Sequence, residues 1–192
     1  MIFVADTSSG ICALAILEDT GEIQGEVFLP ARSPELMDRM RAVAADRTLS
    51  KVAVATGPGS FTGLRMGASF ALGLAMGLRI PIIPLPTLEL QAARGAVPAT
   101  ALSEAGRGRL YYLVPGGEAA LGEPADIPRT YPLVGFVSPG TEAALTASGH
   151  VFAAVSELRP FGAAAAQMLS SAREVAYGSL RLEYMHSFSA PV

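Results

Sequence analysis

The ten residues Thr56-Gly57-Pro58-Gly59-Ser60-Phe61-Thr62-Gly63-Leu64-Arg65 stand between two apolar runs of different character. Lys51 to Ala55 is β-branched at alternate positions and reads as a buried strand. Met66 to Leu78 carries no charge and reads as a buried or partner-facing helix. The chain must therefore turn from strand to helix through glycines and hydroxyl residues. Glycine permits positive φ and close backbone approach, and a helix N-terminus presents unpaired N–H groups that suit an anion. Ser60 is placed to cap the helix.

Known glycine motifs fail on spacing. A phosphate-binding P-loop needs Lys and then Ser or Thr after its second glycine, whereas Gly63 is followed by Leu64 and Arg65. Gly57, Gly59 and Gly63 are one residue too widely spaced for a dinucleotide fingerprint, and no acid ends the next strand-like run, Ile80 to Leu85. Pro58 stands where a nucleophile elbow needs glycine, so Ser60 is not a hydrolase serine by spacing.

With 14 basic against 17 acidic residues, the chain has no basic excess, and any RNA contact needs a partner to supply most of the positive charge. The lone Cys12 forms no internal disulfide and reads as a core residue. Met1 to Asp6 lacks a secretion signal, and Met66 to Leu78 is shorter than the roughly 20 residues of a membrane span. A cytoplasmic protein without membrane attachment is expected. His150 and His186 are isolated, show no metal-ligand spacing and read as surface residues.

Strands are predicted at Ile2 to Ala5, Ile11 to Leu17 and Ile23 to Leu29, an opening meander with a turn at Asp19-Thr20-Gly21. Ser33 as N-cap and Pro34 at the first helical position open an amphipathic helix carrying Leu36, Met37, Met40, Val43 and Ala44. In the helix after the Gly-rich turn, Gly63, Gly67, Ala71 and Ala75 recur every four residues, so one stripe lets a neighbour approach closely. That neighbour is either the chain's own sheet or another subunit. A proline-rich segment, Ile80 to Pro86, and a helix from Thr87 to about Ala93 close an N-terminal lobe at 1–98. A smaller C-terminal lobe, 99–192, has strands at Leu110 to Val114 and Leu133 to Val137, a Gly/Pro-rich connection between them and a helix-prone Phe161 to Ala172. Strands preceding helices argue for an α/β fold.

These residues resemble the TsaB family, also called YeaZ, which bacteria need to make threonylcarbamoyladenosine beside the anticodon of tRNA. Ile2-Phe3-Val4-Ala5-Asp6-Thr7-Ser8 is similar to the family's opening strand and D-T-S. Gly57 to Arg65 with Gly67 is similar to its most specific signature. Glu104-Ala105-Gly106-Arg107-Gly108-Arg109-Leu110-Tyr111 looks like a degraded D-A-R-x-G-E-V-Y, and Leu182-Glu183-Tyr184-Met185 resembles the terminal P-x-Y-L-R. The likeness is good over 1–93 and thin beyond.

The resemblance implies an actin/sugar-kinase/heat-shock-ATPase-like fold, two lobes with mixed sheets flanked by helices, with a return of the last residues to the first lobe left open. It implies a partner without catalytic activity of its own, one that binds and activates the catalytic relative TsaD, with the ATPase TsaE joining them. Threonylcarbamoyl would pass to tRNA, which this chain meets only through the complex. The interface would use Leu36, Met37, Met40, Gly63, Arg65, Gly67, Ala71 and Ala75, and the free chain would pair with itself as a homodimer. Arg65 would meet an acid across that interface or cap a carbonyl. In the superfamily the first hairpin holds phosphates, so Asp6, Thr7 and Ser8, with Gly57, Gly59 and Ser60, could contact a nucleotide, Asp6 near a metal ion. Thr and Ser at such a turn equally bond their own backbone. No cofactor is expected on the chain alone, with ATP and magnesium belonging to the complex. A small nucleotide-dependent phosphotransferase is the alternative, and a peptidase a third reading. Two departures stand out: Arg32-Ser33-Pro34 replaces the family's histidine before the first helix, and the D-A-R motif is eroded.

Overall fold

The computed structural model describes residues 1–184, and Met185 and His186 lie outside them. Five strands, β1 (Ile2–Asp6), β2 (Ile11–Leu17), β3 (Ile23–Pro30), β4 (Lys51–Gly57) and β5 (Ile82–Pro86), form one sheet in the order β3-β2-β1-β4-β5. β1 pairs antiparallel with β2 and parallel with β4, so the sheet is mixed. Alternation along β1 divides the lobe's core, because successive side chains point to opposite faces. Phe3 and Ala5 face Leu36 and Met40 of α1 (Leu36–Ala44) and Ala71 and Ala75 of α2 (Phe61–Leu78). Ile2 and Val4 face the other way, towards Leu90 of α3 (Thr87–Ala92) and Phe161, Ala164 and Ala165 of α5 (Phe161–Leu169).

The second sheet has the order β8-β7-β6-β9, built from β6 (Thr100–Gly106), β7 (Arg109–Leu113), β8 (Ala119–Gly122) and β9 (Leu133–Val134). α4 (Pro139–Ala147) covers one face through Leu145, and α3 covers the other through Leu88. This is the two-lobed, helix-flanked, mixed-sheet α/β arrangement expected from the sequence.

Several elements differ from expectation. α1 starts at Leu36, two residues later than Pro34, because the Ser33 hydroxyl accepts from the Glu35 N–H at 3.3 Å and turns the chain before the helix. The strand-like run expected from Ile80 forms β5 two residues later, at the edge of its sheet, where a missing N–H is tolerated. β6, β8 and α4 have no counterpart in the sequence reading. The first sheet ends with β5 and the second begins with β6, but α5 packs on the first sheet through Phe161, Ala164 and Ala165, and the chain beyond it contacts that sheet as well: Val175 donates to the Ile82 carbonyl at 3.0 Å and Glu183 to the Thr56 carbonyl at 2.8 Å. His150 is buried, not a surface residue, with Nε2 2.8 Å from the Pro124 carbonyl oxygen.

α2 is long and apolar enough, by length and composition, to cross a membrane, but its buried stripe lies on its own sheet. The Tyr177 hydroxyl donates towards the Ala75 and Ile80 carbonyls, at 3.3 and 2.9 Å, which ties the helix C-terminus down.

Candidate functional site

The β1–β2 loop and the Gly-rich turn fold against each other. Thr7 donates its hydroxyl to the Gly63 carbonyl at 2.7 Å, and Ser60 donates its N–H to the Ser8 carbonyl at 2.6 Å. A Cβ on Gly63 would collide with the Thr7 carbonyl oxygen, and one on Gly67 with the Thr7 hydroxyl. A Cβ on Gly59 would stand 2.5 Å from the Ser8 carbonyl oxygen. The glycines here serve close packing within the chain. Ser60 caps α2 as expected, its Oγ accepting from the Gly63 N–H at 3.3 Å.

The stripe expected on a partner face is therefore core. Gly63, Gly67, Ala71 and Ala75 are buried, as are Leu36 and Met40 of α1, because β1, β4 and Thr7 take the close approach that the small residues allow. Met37 and Arg65 remain at the surface. Among the described residues the Arg65 guanidinium lies 3.7 Å from the Phe61 ring centroid and donates to the Tyr184 hydroxyl at 3.2 Å, and it caps no carbonyl of its own lobe.

Most of the expected nucleotide contacts are likewise occupied, the Ser8 hydroxyl being buried without a hydrogen-bond partner among the described residues. Asp6 is 1% exposed; its carboxylate accepts from the Ser8 N–H and from Gln91 Nε2, both at 2.9 Å. Gln91 in turn accepts from Arg94 at 2.9 Å, and the Arg94 guanidinium rests 3.8 Å from the Phe136 ring centroid. Burial pushes the Asp6 carboxyl above its ordinary value, opposed by the bonds from Ser8 and Gln91 and the charge of Arg94. Burial also lowers Arg94 to about 10. Thr7 and Ser8 are buried, and Gly57 is covered by the Glu183 carbonyl. Of the six residues only Ser60 lines the open cleft between the lobes. A nucleotide and its metal ion do not fit this hairpin, since Asp6 has both oxygens engaged and Gly59 is closed onto Ser8. Among the described residues no three His, Cys, Asp or Glu side chains are grouped to hold a metal.

Two surfaces remain open. The first is the interlobe cleft, about 930 Å³, between the β1–β2 loop, the start of α2, the β6–β7 turn and the start of α4. Glu104 organises its inner wall. One carboxylate oxygen accepts from the Ser138 N–H at 3.1 Å, the Ser138 hydroxyl at 2.7 Å and the Thr141 hydroxyl. The other oxygen lies against Gly10, where a Cβ would be 2.5 Å away. The Glu104 N–H donates to the Ser9 hydroxyl at 3.2 Å across the lobes. Glu104 thus fills the donor set at the N-terminus of α4, where an anion would otherwise be favoured. Position 104 belongs to the degraded D-A-R motif, and the Ser138-x-x-Thr141 pair around Pro139 is the sequence signal of a capped helix.

The second surface is the outer side of α1 and α2. A groove of about 390 Å³ runs between them past Ala44, Phe70, Gly73 and Leu74. Met37 and Met76 are 36% and 56% exposed, and a Cβ on Gly73 or Gly77 would touch nothing within 4 Å. Ser69, Gly73 and Gly77 make a second small-residue series, also spaced by four, on the outward side. This outward series, unlike the first, is not among the interface residues expected from the sequence.

The family model described as TsaD, tRNA N6-adenosine threonylcarbamoyltransferase, matches residues 36–177. Among relatives, the tRNA threonylcarbamoyladenosine biosynthesis protein TsaB of Bacillus subtilis (strain 168) is 38% identical over 101 residues, 49% of this chain and 44% of that protein. Its namesake in Escherichia coli (strain K12) is 31% identical over 123 residues, 58% of this chain and 53% of that protein. The matches thus span about half the length of these curated relatives. YeaZ from Pseudomonas aeruginosa shares the fold, with a TM-score of 0.65 at 17% identity over 96% of this chain and 99% of that one. A second Pseudomonas aeruginosa structure, of a protein with similarity to peptidase YEAZ, has a TM-score of 0.68 at 18% identity and the same coverage. By the family match over most of its length, the chain belongs to the TsaD family and, within it, to the TsaB (YeaZ) proteins.

Proposed function

We propose that this protein acts in tRNA threonylcarbamoyladenosine biosynthesis as a partner of TsaD, docking through the outer side of α1 and α2. The observation that carries this reading is the open groove between the two helices, lined by Phe70, Gly73 and Leu74, with Gly77, Met37 and Met76 also exposed on the same two helices. Small residues let a partner helix approach closely, and flexible methionines supply apolar area that water solvates poorly. In the cytoplasm the protein would hold TsaD in its active arrangement, with TsaE joining the two. The same patch would pair two copies as a homodimer when TsaD is absent. The engaged Asp6 and closed Gly59 favour a scaffold over a phosphotransferase, with ATP and magnesium handled elsewhere in the complex.

The test is co-purification with the same organism's TsaD, comparing wild type with Gly73→Leu. The added side chain meets open space in the free chain, so the variant should fold while filling the groove. Loss of the complex by a folded variant supports the reading; an intact complex overturns it.

A further inference from the structure

The mouth of the interlobe cleft is more basic than the chain as a whole. Arg32 from the β3–α1 loop, Arg107 from the β6–β7 turn and Arg109 at the start of β7 all line it, in a protein of formal net charge −3. Among the described residues, none of the three side chains has a hydrogen bond or ion pair of its own. The one carboxylate that lines the same cleft among the described residues, Glu104, is turned inward onto Ser138 and Thr141 and is not placed to neutralise them. Phe61, 54% exposed, lines the same opening and is backed by Arg65.

We propose that this rim contacts RNA, the three arginines meeting backbone phosphates and Phe61 stacking on an unpaired base. Unpaired guanidinium groups beside an exposed aromatic ring suit a nucleic-acid strand, whose phosphates recur along its length and whose every base offers a π-face. A free nucleotide needs donors inside a pocket for its phosphates, and here Glu104 has taken the inner ones. Three phosphate contacts give weak, salt-sensitive binding, so the RNA is held firmly only when partners add their own charge. The inference rests on the tRNA-modification reading above and names where this chain would touch that substrate.

The probe is an unmodified tRNA transcript, titrated by fluorescence anisotropy at salt concentrations from about 50 mM upward. Wild type is expected to bind at low salt, with log affinity falling against log salt with a slope of about 2–3 in magnitude. Replacing Arg32, Arg107 and Arg109 together by Gln should cost at least about tenfold at low salt and remove most of that slope, about one per arginine. Replacing Arg79, Arg129 and Arg173, which do not line the cleft, should change neither. Phe61→Ala should weaken binding about tenfold at an unchanged slope. The proposal falls if the cleft variant binds like wild type, if wild type shows no binding at low salt, or if equimolar ATP with magnesium displaces the RNA. Because none of the three arginines lines the α1–α2 groove, the cleft variant should still co-purify with TsaD. Failure of RNA binding is therefore distinguishable from failure of the docking reading.

Discussion

Gly67 lies against Thr7 so closely that a Cβ on its Cα would meet the Thr7 hydroxyl, the same hydroxyl that donates to the Gly63 carbonyl 2.7 Å away. This contact fixes the first turns of α2 onto the loop after β1. Gly67→Leu should therefore act on stability rather than on partner choice. The buried site has no room for a branched side chain, so a loss of about 3 kcal/mol or more is expected in urea unfolding. Gly73→Leu, on the opposite side of the helix, should lose less than about 1 kcal/mol, since it adds a side chain to open surface. Equal losses at the two positions would contradict the assignment of faces.

Glu104 holds three donors from α4 and one wall of the cleft. Glu104→Ala leaves the Ser138 N–H and two hydroxyls without their acceptor, in a place only partly open to water. A loss of about 1–3 kcal/mol is expected by chemical denaturation. It should also uncover an anion site at the start of α4, visible as stabilisation by millimolar phosphate that wild type does not show. Phosphate stabilising both proteins equally would mean that the carboxylate does not occupy that site.

Burial holds the Asp6 carboxyl above its ordinary value of 3.8 in the folded protein, so the folded state binds this proton more tightly than the unfolded chain does. The stability it contributes is complete below 3.8 and is lost as pH rises through the folded value. The stability of wild type relative to Asp6→Asn should accordingly decline as pH rises from the acid range towards neutrality, read from paired urea midpoints. A gap that widens in favour of wild type would mean that the bonds from Ser8 and Gln91 outweigh burial.

Cys12, on β2, is fully buried in the core beneath α1, and burial pushes its thiol up to about 12. A neutral thiol is a poor nucleophile. The native protein should not react with a disulfide reagent at pH 8, and one equivalent should react once denaturant is added. Prompt reaction of the native protein would place this face of the sheet in frequent contact with solvent.

The first lobe was legible because its elements obey simple periods. Val52 and Val54 alternate in β4, the β2 boundaries read directly as Ile11–Leu17, and Ser60 capped the helix where its spacing said it should. The second lobe was not, because β6 mixes Ser103 and Glu104 into its run and β8 is four residues of Ala, Leu and Gly. Glu104 is spent on tertiary bonds, its N–H on Ser9 across the lobes and its carboxylate on Ser138 within the second lobe. Spacing by four correctly marked Gly63, Gly67, Ala71 and Ala75 as one face of a helix. It could not say what that face meets, since close packing on a sheet and on a partner require the same small residues. The buried bonds of Asp6 were equally invisible, because Gln91 reaches it from α3, 85 positions along the chain, and is itself held by Arg94.

α3 is only six residues long, yet Leu90 is buried in the core of one lobe and Leu88 in that of the other. A helix inserted into two cores acts as a keystone. Prising the lobes apart like a jaw would pull one of these leucines out of its socket, so the halves are geared to stay still relative to each other. Heat or denaturant should accordingly bring both down in one transition, and whatever the protein does, it does as a rigid block that offers its outer surfaces to others.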